Sequence, residues 1–302
     1  MVMNLFYALC ILLHVAVAYP NDMVRERRIV GGQTMKRGEW PFLASLHYLK
    51  PFPFTRKTHM KHLCGGALIH PQWILTAGHC VGFFEELAVE DNWNVVLGEH
   101  NQYLRDLEEQ IIKPESFFLH PGFLPHVTNT LQNDIALIKL TEEAKLTAYV
   151  GVIPLSNTSS IKDDTECQIG GWGQLASDPY GWGMYIPLKT TLYVINNNTC
   201  DEVYKKLEYN DDDIHMVIDH TVLCAGIPEY MQTQNQNDNN GNPDACNGDS
   251  GSPLLCPTGP GGEFEVAGIV SAGKGCGTGV YPGIYANTAH YVNWIREVME
   301  NN

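Results

Sequence analysis

The chain is 302 residues long, 44% hydrophobic and 18% charged, with a formal net charge of −15. It is long enough for one large or two modest domains with ample surface to bury. The acidic balance excludes nucleic acid and anionic membranes as general partners, and no run after the first eighteen residues is long and apolar enough to cross a bilayer.

Residues 1–18 are apolar, nearly without interruption over 5–17, and end Ala16-Val17-Ala18. That is the pattern of a secretory signal peptide with its small-residue cleavage site, so the mature chain is expected outside the cell. Residues 19–28 form a short segment ending Arg25-Glu26-Arg27-Arg28, and Ile29-Val30-Gly31-Gly32 follows. From Trp40 onward short apolar runs alternate with polar turns, at 42–46, 66–69, 74–76, 94–97 and 135–140, then at 166–170, 190–195, 252–255 and 266–271. With 28 glycines and 17 prolines, this predicts an all-β sandwich or barrel. From Thr288 the tail is predicted helical, because Val292, Ile295 and Val298 recur at helical spacing.

Nine cysteines become eight once Cys10 leaves with the signal peptide. An even number in a secreted chain points to disulfides rather than metal, and residue chemistry alone leaves about a hundred pairings open. His59-Met60-Lys61-His62 lacks a third ligand and lies among positive charges, so it is not read as a metal site. Asn157-Thr158-Ser159 and Asn197-Asn198-Thr199 are glycosylation sequons that suit a secreted surface.

The chemistry centres on residues 244–253, Asp-Ala-Cys-Asn-Gly-Asp-Ser-Gly-Ser-Pro. Ser250 sits in a Gly-Asp-Ser-Gly turn, where a sharp bend exposes a nucleophile. Gly248 has no Cβ to keep the backbone away from a substrate carbonyl. The N–H groups of Gly248 and Ser250 could point at one oxyanion. A serine hydroxyl needs a histidine base and a carboxylate to orient that base. His79 in Leu-Thr-Ala-Gly-His-Cys and Asp134 in Asn-Asp-Ile-Ala-Leu-Ile-Lys-Leu are the candidates. In the order His, Asp, Ser, behind an Ile-Val-Gly-Gly start, these motifs resemble the trypsin/chymotrypsin family of serine proteases. The resemblance covers everything after residue 28.

The resemblance implies an all-β fold of two antiparallel six-stranded Greek-key barrels, over 29–145 and 146–302, with the active site between them and a C-terminal helix. It selects the disulfides Cys64–Cys80, Cys167–Cys256, Cys200–Cys224 and Cys246–Cys276. Residues 19–28 become an activation propeptide, and cleavage after Arg28 frees an Ile29 ammonium to pair with Asp249. Either a trypsin-like protease or a proprotein convertase reading Arg25-x-Arg27-Arg28 would make that cut. Asp244 becomes the base of the primary pocket, beside Ala245, with Gly273 and Gly283 as its small walls. Ser271 leads the 271–273 strand that pairs with substrate. No cofactor is needed for catalysis. A structural calcium is expected at Glu99, Asp106 and Glu109 with the carbonyls of Asn101 and Leu104, since hard oxygen ligands suit it.

The implied partners are protein or peptide substrates cut after Arg and Lys, an activating protease and protein protease inhibitors, for a monomer. The alternative from another class is an inactive homologue that serves as a binding or adaptor protein. Three departures stand out: Ser252 and Gly78 where the family usually has glycine and alanine, and Ala272 where it usually has tryptophan. Loops at 47–63 (basic), 81–92 (acidic), 178–185 and 232–242 (Asn/Gln-rich, expected to be disordered) exceed the family's usual length. The basic loop is expected on the leaving-group side, where it would select acidic residues.

Overall fold

A computed structural model of the protein describes residues 32–51, 58–83, 85–128, 130–157, 161–173, 184–207, 215–228, 244–259, 261–277 and 279–302. A two-residue strand, β1 (Gln33–Thr34), is followed by β2 (Leu43–Pro51), β3 (Thr58–His70), β4 (Trp73–Thr76), β5 (Trp93–Leu97), β6 (Gln110–Ile112), β7 (Pro114–Leu119) and β8 (Ala136–Leu140). Strands β2 to β8 form a seven-stranded antiparallel sheet in the order β6-β5-β2-β3-β4-β8-β7. Its two edges, β6 and β7, are separated in sequence by Lys113 alone. The sheet therefore curls until one broken strand serves both edges. The break has a cause: Pro114 has no N–H for a ladder, and Lys113 turns its Nζ to the carbonyls of Asp91 and Trp93 at 2.9 and 2.8 Å.

The second half supplies β9 (Glu166–Gly171), β10 (Leu188–Ile195), β11 (Val222–Gly226), β12 (Pro253–Pro257), β13 (Phe264–Ala272) and β14 (Gly283–Asn287). These run β10-β11-β14-β13-β12-β9, and pairing of β9 with β10 closes a six-stranded barrel. β1 is added outside it, on β10. Of the two expected barrels, the C-terminal one closes as six strands, while the N-terminal one is a curled sheet with a divided strand. β10 buries every second residue, Leu188, Thr190, Leu192 and Val194, as a strand with one face on the core must. In the first sheet Leu46, Leu68, Ile74, Leu75, Leu97 and Leu137 are fully buried, each contributing about 1.5–3 kcal/mol.

Among the described residues there are four α-helices: α1 (Gly78–Gly82), α2 (Pro125–Thr128), α3 (Asn197–Tyr204) and α4 (Thr288–Asn301). Among the described residues no helix is long and apolar enough to cross a membrane. Tyr291 and Ile295 of α4, with Leu255, Val266 and Ile269 of the second barrel, join the core of the first sheet. The two halves therefore share apolar surface, and the loops between them open onto one cleft.

Several expectations are corrected. The basic stretch 47–63 is not a loop: β2 runs on to Pro51 and β3 begins at Thr58, with Lys50 opposite His59 and Pro51 opposite Thr58. Charges on both strands hid the alternation, and Pro51 stands at a strand end where a missing N–H costs little. The stretch 81–92 is largely helical, with two 3₁₀ turns at Glu85–Ala88 and Glu90–Asn92. Residues 232–242 and most of 178–185 lie outside the described residues. The sequence pattern marks none of strands β1, β6, β7, β11 and β14, nor helices α1, α2 and α3. α3 is started by Asn196, whose side chain accepts the Asn198 N–H at 2.9 Å. The neighbouring Asn197 spends its amide nitrogen on the Asp219 and Val222 carbonyls, at 2.7 and 3.1 Å. The sequon at Asn197 thus has its acceptor nitrogen engaged, whereas Asn157 is exposed.

Candidate active site

His79 lies in α1, directly after β4, and its neighbour Cys80 is tied to Cys64 of β3. Asp134 stands just before β8. The preceding Asn133 adopts φ 56°, a conformation asparagine tolerates better than most residues. Its side chain donates to the Gly122 carbonyl at 3.1 Å and accepts the Tyr291 hydroxyl at 3.2 Å, which fixes that bend. Asp134 is 1% exposed. It accepts the His79 backbone N–H and the His79 Nδ1–H, both at 2.7 Å, and the Ser271 hydroxyl at 2.5 Å. A carboxylate only accepts, so Nδ1 carries the hydrogen and Nε2 keeps its lone pair. Burial works against the imidazolium, but the charge and hydrogen bond of Asp134 outweigh it and hold His79 above its ordinary value.

Ser250 enters the same cleft from the turn before β12. The turn needs its glycines: Gly248 and Gly251 have φ 97° and 80°, and a Cβ on Gly251 would strike Thr76 Oγ1 and the Gly65 carbonyl. The Gly65 N–H donates to the Ser250 carbonyl at 2.8 Å, docking the turn on the first sheet. Ser252, the departure from glycine, is fully buried, and its hydroxyl has no hydrogen-bond partner among the described residues. Gly78, by contrast, is explained by packing: a Cβ there would lie 3.0 Å from the Phe123 ring and 3.2 Å from Asp134 Oδ1.

The cleft has a volume of about 570 Å³ and brings His79 and Ser250 together with Asp244, Ala245, Gly248, Ser271, Gly273 and Gly283. Asp244 accepts the Gly277 N–H at 2.9 Å. Burial, with the Asp249 charge added, pushes its carboxyl up to about 6, against hydrogen bonds from Gly277 and Ala245. Gly273 faces open space, since a Cβ there would meet nothing within 4 Å, so its want of a side chain serves only what enters the cleft. Gly283 is different: a Cβ would approach the Tyr285 hydroxyl to 2.9 Å. Tyr285 is a pocket residue that the sequence reading missed, although it sits two residues beyond Gly283 on the same face of β14. Its buried hydroxyl has no partner among the described residues. Ala272, Leu131 and Met216 also line the cleft.

Asp249 is buried and accepts the Gly173 N–H at 2.9 Å and the Cys246 N–H at 3.1 Å. Burial raises it to about 6 despite those two donors. Arg28 and Ile29 lie outside the described residues. The four disulfides form with the pairing implied by the resemblance, Cys64–Cys80, Cys167–Cys256, Cys200–Cys224 and Cys246–Cys276.

The three candidate carboxylates, Glu99, Asp106 and Glu109, already have partners. Asp106 accepts the His100 and Asn101 N–H groups at 2.9 and 3.2 Å and pairs with Arg37 at 3.3 Å. Glu109 accepts the Asp106 N–H at 3.2 Å, and Glu99 bonds His47 at 3.2 Å. The Asn101 carbonyl accepts the Leu104 N–H at 3.1 Å. The oxygens of Glu99, Asp106 and Glu109 are not all within 4.8 Å of one another. A calcium ion at these residues would compete with Arg37 for Asp106 and with His47 for Glu99. The one convergent group among the described residues, Cys64, His79 and Cys80, consists of a disulfide and the histidine beside it, and is no metal site.

A family model described as Trypsin matches residues 29–295. The chain is 33% identical to trypsin I-P38 of Gallus gallus over 299 residues, covering 98% of this chain and 99% of that protein. It is 34% identical to a tryptase of Mus musculus over 280 residues, 92% and 91% of the two chains. Trypsin of Xenopus laevis is 31% identical over 297 residues, 98% and 99%.

Proposed function

Since this chain belongs to the trypsin family of serine peptidases, we propose that it is a secreted endopeptidase, made as a zymogen, that hydrolyses peptide bonds after arginine and lysine. The observation that carries the specificity is Asp244, a carboxylate in the cleft that holds Ser250 and His79. A guanidinium or ammonium answers that charge, while an apolar side chain would leave it buried and unpaired. Four disulfides suit an oxidising compartment, as does the apolar leader.

In this reading Ser250 Oγ attacks the scissile carbonyl carbon as its proton passes to His79 Nε2. Asp134 holds the tautomer and the imidazolium. The carbonyl electrons move onto oxygen, which the Gly248 and Ser250 N–H groups receive. The C–N bond then breaks, with His79 returning the proton to the leaving amine. Water, deprotonated by His79, hydrolyses the acyl-enzyme and restores Ser250. No cofactor takes part. The activating cut after Arg28 supplies the Ile29 ammonium to Asp249, whose buried carboxylate otherwise has only neutral N–H partners among the described residues. Protein substrates, an activating protease and protein inhibitors are the partners of a monomer.

The test uses chain cut after Arg28. Peptides differing only in the residue before the scissile bond should be cleaved in the order Arg, Lys, then Phe or Leu. A fluorophosphonate should label Ser250 only after activation. Preferred cleavage after Phe or Leu would remove Asp244 from its role. Absence of labelling would favour the adaptor alternative.

A further inference from the structure

A chain of hydrogen bonds runs from Gly248 into the first sheet and ends at Glu99. His62 Nε2 is 2.9 Å from the Gly248 carbonyl oxygen, and His62 Nδ1 is 2.7 Å from Ser45 Oγ. Ser45 Oγ is 2.9 Å from His47 Nε2, which is also 3.2 Å from Glu99 Oε2. A β-bulge makes the arrangement: the β2–β3 register slips between Leu46 and His47, so His47 stands opposite His62. Ser45 is fully buried, and the Glu99 side chain is 4% exposed.

The direction of every hydrogen in this chain follows from its two ends. A carbonyl only accepts, so His62 Nε2 must carry a hydrogen. Burial lowers the His62 pKa to about 4, which keeps the ring neutral and leaves Nδ1 as an acceptor. The Ser45 hydroxyl therefore donates to His62, and its oxygen must accept from His47 Nε2–H. At the far end the Glu99 carboxylate also only accepts, and it demands the same His47 tautomer. Were the chain reversed, His47 would accept from Ser45, Ser45 from His62 Nδ1–H, and a His62 lone pair would face the Gly248 carbonyl. Gly248 has no side chain to hold it and sits at φ 97°, and the peptide it shares with Asp249 is held by two bonds: the His62 clamp on its carbonyl, and the Asp249 N–H donating to the Cys246 carbonyl at 2.9 Å.

We propose that Glu99 and His47 are positioning residues of the oxyanion hole: together they set the tautomer with which His62 holds Gly248 in place. The proposal rests on the reading of the Gly248 N–H as an oxyanion donor. Glu99 thus serves Gly248 through three intervening side chains, without touching substrate.

Glu99→Gln tests it in the activated enzyme, with chelator present so that no cation takes part. The amide is isosteric but offers His47 either an oxygen or an NH₂, which removes the bias. Losing an oxyanion donor outright costs about 10²–10³ in kcat, so a partly released clamp is expected to lower kcat about fivefold with KM within about twofold. Affinity for a peptide boronate, whose adduct oxygen occupies the oxyanion hole, should fall in parallel, while benzamidine, which reaches only Asp244, should bind as before. Nitrogen-15 NMR should show His62 wholly Nε2-protonated in the native enzyme and as a mixture in Glu99→Gln. Adding His47→Leu removes the competing acceptor for Ser45 and should restore the single tautomer. A single His62 tautomer and unchanged kcat in Glu99→Gln, or no restoration in the double variant, would overturn the proposal. An equal loss of benzamidine binding would overturn it too, by showing a general structural defect. A native protein with no peptidase activity would defeat the proposed function alone, and the His62 tautomer would still decide the hydrogen-bond chain.

Discussion

Replacing Ala245 with serine changes the base of the primary pocket by one hydroxyl, and the structure sets what that hydroxyl is worth. Asp244 gives part of its acceptor capacity to the Gly277 N–H at 2.9 Å and part to the Ala245 N–H. A guanidinium can still engage the carboxylate with two parallel N–H groups, whereas an ammonium meets it as a point charge and needs further acceptors. The Ala245 methyl offers none. Lysine therefore lacks one charge-assisted hydrogen bond relative to arginine, about 1.4 kcal/mol or a tenfold difference in kcat/KM. The assay is kcat/KM on two peptides that differ only as Arg or Lys before the scissile bond. Arg is expected to lead by about tenfold in the native enzyme. In Ala245→Ser, Lys should gain about tenfold with Arg little changed. Equal native rates, or no gain for Lys, would refute the account. The pH dependence supplies an independent check: burial raises Asp244 to about 6, so KM for either peptide should rise as the pH falls below that value and the charge is lost. The acid limb of kcat belongs instead to His79 and should begin above the ordinary histidine value, because Asp134 raises it.

Ser252→Ala should stabilise the protein by about 1 kcal/mol or more, because it removes a buried hydroxyl without a partner and keeps the Cβ; thermal unfolding would read this as a rise of about 2–4 °C, and a fall would mean the hydroxyl is satisfied. In the chain not cut after Arg28, Asp249 has a folded value of about 6, above its unfolded one, so its protonation favours the fold. Stability relative to Asp249→Asn should therefore increase as the pH falls through about 6 toward the ordinary carboxylate range, and denaturant titrations with the opposite slope would contradict this. With Arg37 and His47 already on the loop carboxylates, equal melting temperatures are expected in calcium and in chelator, and a calcium-dependent rise would return the ion to residues 99–109.

What depends on neighbours along the chain is legible in the residues themselves. The turn at 244–253 needs its glycines locally, the β period shows in runs such as 190–195, and the helical spacing of Val292, Ile295 and Val298 marks α4. The motifs around His79, Asp134 and Ser250 carried the family resemblance for the same reason, each being a short unit with its own chemistry. Partnerships between residues far apart in the chain come only with folding. Glu99 reads in sequence as a cation ligand, yet folding gives it His47, 52 positions away, and His62 reaches a carbonyl 186 positions away. Gly78 looked like a trivial change until Phe123 filled the space beside it. Residues 47–63 looked like a charged loop until each strand met its partner across the hairpin. A strand edge or a buried polar atom takes its role from whatever is packed against it, and no local pattern states which distant residue that will be.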